Sequence, residues 1–94
     1  MNGGLGSALE LFKIALGVTH NARDGYYTSV LEATAAELNG RGISLDSSVV
    51  ADVQLLVDYA EFNYRNRDGG KVLPANLDIR IRNAKAKGRV DRAG

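Results

Sequence analysis

The stretch that most limits how this chain can fold is residues 49–64, where apolar side chains recur at helical spacing over several turns. At ~100° per residue, these side chains fall within roughly 120° of arc, the width of a core-facing stripe. They are Val49, Val50, Val53, Leu56, Val57, Ala60 and Tyr64. One helix cannot bury such a stripe by itself, so we expect a long central helix that packs against others.

Three further segments carry helical patterns, and helix is favoured because proline occurs once in the chain, at position 74. The spacing predicts four helices, over residues 7–16, about 22–38, from Asp46 or Ser47 to about Asp68, and from Pro74 onward. The expected start and stop signals are Ser7, Gly17, Thr19 or Asn21, the NGRG sequence at 39–42, and the pair Gly69 and Gly70.

The last segment also has a strand-like alternation, because Leu77, Ile79 and Ile81 are separated by charged residues. No second candidate strand exists to pair with it, so we prefer a helix. The expected fold class is therefore all-α, a single helical domain over residues 1–94. It would be a small bundle of about four helices, with a short first helix, a long central third helix and a basic C-terminal tail.

Charge is unevenly distributed along the chain. Residues 1–70 hold five basic and nine acidic side chains, a balance of −4, whereas residues 71–94 hold seven basic and two acidic ones, a balance of +5. This asymmetry favours contact between the basic segment and an acidic partner, either nucleic acid or protein. The residues concerned are Arg80, Arg82, Lys85, Lys87, Arg89 and Arg92, and residues 85–94 are expected to form a flexible or partner-ordered tail.

A second apolar patch is predicted on the third helix, apart from the core stripe. Leu55, Tyr59 and Phe62 lie beyond a polar wedge that includes Asp58 and Glu61. Another helix of the same chain could cover this patch. Alternatively, the patch faces a neighbouring copy, since contiguous exposed apolar area usually marks an interaction surface. Both interpretations remain open at this point.

Motifs for catalysis and for metal binding are lacking. The chain has no cysteine and a single histidine, His20, and its serines belong to no recognisable nucleophile motif. The glycine-rich sequence at 3–6 is not preceded by a strand or followed by GK[ST]. No apolar run is long enough to span a membrane, and the N-terminus lacks the pattern of a secretory signal. We therefore expect a soluble intracellular protein that is not an enzyme and uses no metal or cofactor.

Three strings in order resemble the head–tail connector proteins, the small helical adaptors of long-tailed phages. Residues 11–38, LFKIALGVTHNARDGYYTSVLEATAAEL, look like the family's first two helices, and NGRGISLD, residues 39–46, looks like its inter-helix loop. Residues 49–77 are similar to its most recognisable stretch, in which a long helix ends in an aromatic and arginine string before a glycine loop and a proline. In this chain the aromatic and arginine string consists of Tyr59, Ala60, Phe62, Tyr64 and Arg65, and the proline is Pro74.

The resemblance implies a structural virion protein. Members of that family form a homo-oligomeric ring beneath the portal, extend the DNA channel, and provide a docking surface for the tail or neck stopper protein. Leu55, Tyr59 and Phe62 would then be candidates for the oligomer interface. The six basic residues would contact the portal protein or, weakly, the passing double-stranded DNA. The expected location is the head–tail junction of the virion, and the host cytoplasm during assembly.

Two rival functions remain from the residues themselves. One is a small non-enzymatic DNA-binding protein that uses residues 80–92 to hold phosphates. The other is a helical regulator or antitoxin-like partner protein, which is supported only by the charge asymmetry.

Overall fold

A computed structural model describes residues 3–46, 48–67, 69 and 72–93, and the side chains of residues 8–46, 48–67, 69 and 72–87. It contains four helices, α1 (Gly3–Leu16), α2 (Asp24–Gly40), α3 (Val50–Arg65) and α4 (Ala75–Ala93). No strand occurs among the described residues. The predicted all-α bundle is confirmed, and so is the helical form of residues 77–82.

Glycine ends α1 and α2 in the same way. Gly17 (φ +77°) and Gly42 (φ +90°) adopt the left-handed conformation that residues with a Cβ rarely take. After α1, the Val18 N–H donates to the carbonyl of Lys13 (2.9 Å), and after α2 the Ile43 N–H donates to that of Leu38 (3.1 Å). These bonds close Schellman motifs and satisfy carbonyls that the helix leaves free. Gly17 was predicted correctly as the end of the first helix.

The predicted starts of the first three helices are wrong, whereas α4 begins at Ala75, one residue after the predicted Pro74. The first helix begins at Gly3, so Ser7 lies inside it, and α2 begins at Asp24 with Arg23 at the N-cap and no side-chain capping bond. Before α3, the carboxylate of Asp46 accepts hydrogen bonds from the N–H (2.9 Å) and hydroxyl (2.6 Å) of Ser48. Those bonds form a turn, and α3 begins after it, at Val50. The same hydrogen bonds from Ser48 lower the pKa of the Asp46 carboxyl. Ser47 lies outside the described residues.

The third helix is central but not the longest. It has 16 residues and ends at Arg65, earlier than predicted, whereas α4 has 19. Each of the other three helices packs against α3, and α1 also packs against α2. In the described part of the chain, α4 contacts no helix except α3. The fourth helix is therefore attached to one side of a three-helix unit.

The core lies between α3 and its neighbours. Leu56, Val57 and Ala60 of the predicted stripe are buried there, whereas Val50 is 81% exposed because it lies in the first turn of α3, at the edge of the bundle. Phe12 and Tyr27 supply buried aromatic rings from α1 and α2. The molecule measures 44 × 35 × 18 Å, so it is flat.

Candidate interaction surface

The apolar residues predicted as an oligomer interface do not form an open patch. Leu55 and Tyr59 are each 4% exposed, and Phe62 is half-buried against the core. The Tyr59 hydroxyl donates to Glu37 Oε2 on α2 at 2.6 Å, and burial together with this bond raises the pKa of Tyr59. For Leu55 and Tyr59 the interpretation of an uncovered surface is thus corrected: helices of the same chain cover them. An interface role for the three residues stays a prediction, and Phe62 keeps the most surface for it.

The helix that covers this side of α3 is α4. Leu55, Asp58 and Phe62 stand at positions i, i+3 and i+7, so they share one face of α3. Asp58 accepts an ion-paired hydrogen bond at 2.7 Å from Arg80 on α4. That contact shows that α4 lies along this face. We call this region the α3–α4 seam: the α3 face that carries Leu55, Asp58 and Phe62, and the α4 residues Leu77, Arg80 and Ile81.

Apolar burial holds the seam more strongly than its ion pair does. Leu77 and Ile81 are each 5% exposed, and α3 is the helix against which α4 packs. Burying such a side chain contributes about 1.5–3 kcal/mol. The Asp58–Arg80 pair is partly exposed on both sides, and pairs of that kind contribute about 0.2–1 kcal/mol. The two apolar side chains therefore contribute most to holding α4 on α3, and the ion pair contributes less.

The predicted basic residues divide into four groups. Arg80 belongs to the seam, and Arg82 pairs within α4 with Asp78 at 3.0 Å while remaining 76% exposed. Lys85 and Lys87 are exposed and form no ion pair with another described side chain. The side chains of Arg89 and Arg92 lie outside the described residues.

The segment expected as a tail continues the helix. The backbone of α4 is helical to Ala93, through nearly all of residues 85–94. The Lys87 charge adds a minor lowering of the pKa of Asp46, after the bonds from Ser48. The charge of Lys87 therefore acts on the turn that precedes α3. Whether residues 85–94 are flexible or ordered by a partner stays a prediction.

A groove lined by tyrosine and arginine was missed by sequence reasoning. It has a volume of about 410 Å³ and lies between the start of α2 and the end of α3, lined by Ala22, Arg23, Gly25, Tyr26, Tyr64 and Arg67. The Arg67 guanidinium stacks over the Tyr64 ring at 4.6 Å and donates to the Tyr64 carbonyl at 2.6 Å. The available signal was the i, i+3 spacing of Arg23 with Tyr26 and of Tyr64 with Arg67.

In the described part of the chain, the histidine and acidic side chains are dispersed. No three His, Asp or Glu side chains there come together in an arrangement that could hold a metal ion. His20 is exposed, and its Nδ1 accepts a hydrogen bond from the Ala22 N–H at 3.3 Å. None of the helices there is both long enough and apolar enough to cross a membrane.

Comparison with known proteins gives no relative. The chain matches no family model, no curated protein and no solved structure.

Proposed function

We propose that this chain is a head–tail connector, a structural protein of the virion that forms a ring between the portal and the tail or neck components. Its sequence resembles that family, and the all-helical bundle is compatible with it. The observation that carries the proposal is the position of α4. This basic helix packs on α3 alone within the described chain, and its outward face keeps charged side chains exposed to a partner.

Ring formation requires two different surfaces on each copy, because adjacent subunits meet head to tail. Exposed apolar side chains are available on separate elements of this chain. Ile14 lies on α1 and Ile79 on α4, at 72% and 55% exposure. In such a ring, lysines and arginines that face the channel would make weak, non-specific contacts with passing DNA.

Capture of a portal protein tests this proposal. We expect a portal protein encoded in the same genome to co-purify with the chain, and the double variant Lys85→Gln/Lys87→Gln to reduce that capture. Glu10→Gln/Glu32→Gln is a matched control, since it also neutralises two exposed helical charges but lies on α1 and α2. The absence of portal capture with the wild-type chain would contradict the connector function.

The alternative is a small DNA-binding protein, and the exposed Lys85 and Lys87 favour it. Fluorescence anisotropy with a short duplex distinguishes the two functions. A DNA-binding protein would bind at moderate salt, with an affinity that falls steeply as salt rises. A connector is expected to show negligible binding under the same conditions.

A further inference from the structure

The attachment of α4 has a consequence for how copies of this chain can meet. In the described chain, α4 packs against α3 alone. The other two helices, α1 and α2, pack against α3 and also against each other. Removing α4 from its place would therefore leave the contacts among α1, α2 and α3 intact. The three-helix unit and α4 behave as two parts joined at a single seam.

Both sides of the seam carry apolar residues, and their charges are opposite. The α3 face has Leu55 and Phe62 with the acidic Asp58, and α4 has the buried Leu77 and Ile81 with the basic Arg80. Each chain carries one copy of both sides. The same contacts could therefore form between the α3 of one copy and the α4 of another, without any new surface.

The connection between the two helices is long enough for such an arrangement. Residues 66–74 link α3 to α4, and nine extended residues span at most about 30 Å. The shortest dimension of the molecule is 18 Å. A copy stacked along that short axis would therefore bring its α3 within reach.

We propose that α4 is exchanged between copies when the chain assembles, so that each α4 packs on the α3 of the next copy. Exchange of an identical element preserves every seam contact and is a low-cost route to association. The occupant of the α3 face is thus a second copy's α4, held by the Asp58–Arg80 pair and by Leu77 and Ile81. Exchange of α4 extends the proposed connector function. It rests on that function only for the claim that the assembled copies form a connector ring.

Cross-linking between copies tests the exchange. The chain has no native cysteine, so Asp58→Cys and Arg80→Cys chains can be made separately, with one carrying a size tag. They are mixed under conditions where the wild type self-associates and treated with a short bis-maleimide, which allows for the length of the arginine side chain. We expect a heterodimer that joins the two positions as the main product. Exclusive formation of an intrachain link in the double variant Asp58→Cys/Arg80→Cys would overturn the proposal.

The matched control uses a contact that exchange leaves within one chain. Arg65 Nη2 on α3 donates to the Ala15 carbonyl on α1 at 3.1 Å. Mixed Ala15→Cys and Arg65→Cys chains should give no heterodimer linked across that contact, whereas the double variant should link within the chain.

Charge reversal provides a second test that does not depend on cysteine chemistry. Asp58→Arg alone places two cations in every seam, and Arg80→Asp alone places two anions there. The like charges occur in the seam whether it forms within one chain or between copies, so each variant alone should self-associate no more than the wild type. In an equimolar mixture, exchange between the two variants pairs every seam with opposite charges. The mixture should therefore associate more strongly than either variant alone, as measured by light scattering after gel filtration.

If the mixture stays dissociated, or if the wild type never self-associates, the exchange is refuted. Portal capture is measured separately. A chain that captures portal without exchanging α4 would contradict this inference and leave the connector proposal standing.

Discussion

At Lys13, a charged side chain lies inside the bundle with 5% of its surface exposed. Its Nζ atom donates to Asn21 Oδ1 at 2.7 Å and is 2.8 Å from Asp24 Oδ1. These contacts tie α1 to the loop and to the first turn of α2. A buried ammonium requires such partners, because an unpaired charge in the interior is strongly unfavourable.

Truncation of that side chain should therefore destabilise the fold. We expect Lys13→Ala to lower the free energy of unfolding by about 1–3 kcal/mol, because Asn21 and Asp24 would lose their partner. Urea denaturation measures the change. Lys87→Ala, at an exposed position, should stay within about 0.5 kcal/mol of the wild type. Equal effects of the two substitutions would contradict the role given to Lys13.

Leu55 offers a second test at the residue scale. Since it is a core residue, Leu55→Ala should destabilise by about 2–5 kcal/mol through lost burial and the cavity left behind. Val50→Ala removes apolar atoms from the same helix at an exposed position and should change stability by less than about 0.5 kcal/mol. Denaturant midpoints that move little for Leu55→Ala would show that the residue lies at an open surface after all.

At the scale of elements, the helices could be predicted from the sequence better than their starts. Apolar spacing predicted α3, because a stripe over several turns has few alternatives. The helix starts predicted at Ser7 and Asn21 were wrong because serine and asparagine can cap a helix or take other positions and partners. Ser7 continues a helix that begins earlier, and the Asn21 amide oxygen accepts from Lys13, a partner eight residues away. That long-range partner cannot be read from local sequence.

Glycines 42 and 25 should respond to alanine with opposite signs. Gly42 has φ +90°, so Gly42→Ala should destabilise by about 1 kcal/mol or more, since a Cβ is strained there. Gly25 lies in α2 with open space at the position that a Cβ would take, so Gly25→Ala should stabilise the fold by about 0.4–1 kcal/mol. Thermal unfolding of both variants measures this. Effects of the same sign would contradict the assignment of the α2 end.

At the scale of the whole molecule, two features that the sequence presents as separate prove to be parts of one seam. Arg80 of the basic segment contacts Asp58, which shares a helix face with Leu55 and Phe62 of the apolar patch. Both features can be read from the sequence, but their contact cannot, because it depends on how α4 packs on α3. Charge and hydropathy patterns describe each helix alone and do not specify which faces meet.

We propose that α4 has two parts with different roles. The part up to Ala84 covers α3, and the part beyond it, where Lys85 and Lys87 are exposed, serves a partner. A chain that ends at Ala84 separates the two roles, by circular dichroism and portal capture measured on the same sample. We predict an unchanged thermal midpoint and helical content per residue, with clearly weaker capture of portal protein. A chain that unfolds, or one that captures portal as well as the full chain does, would contradict the claim.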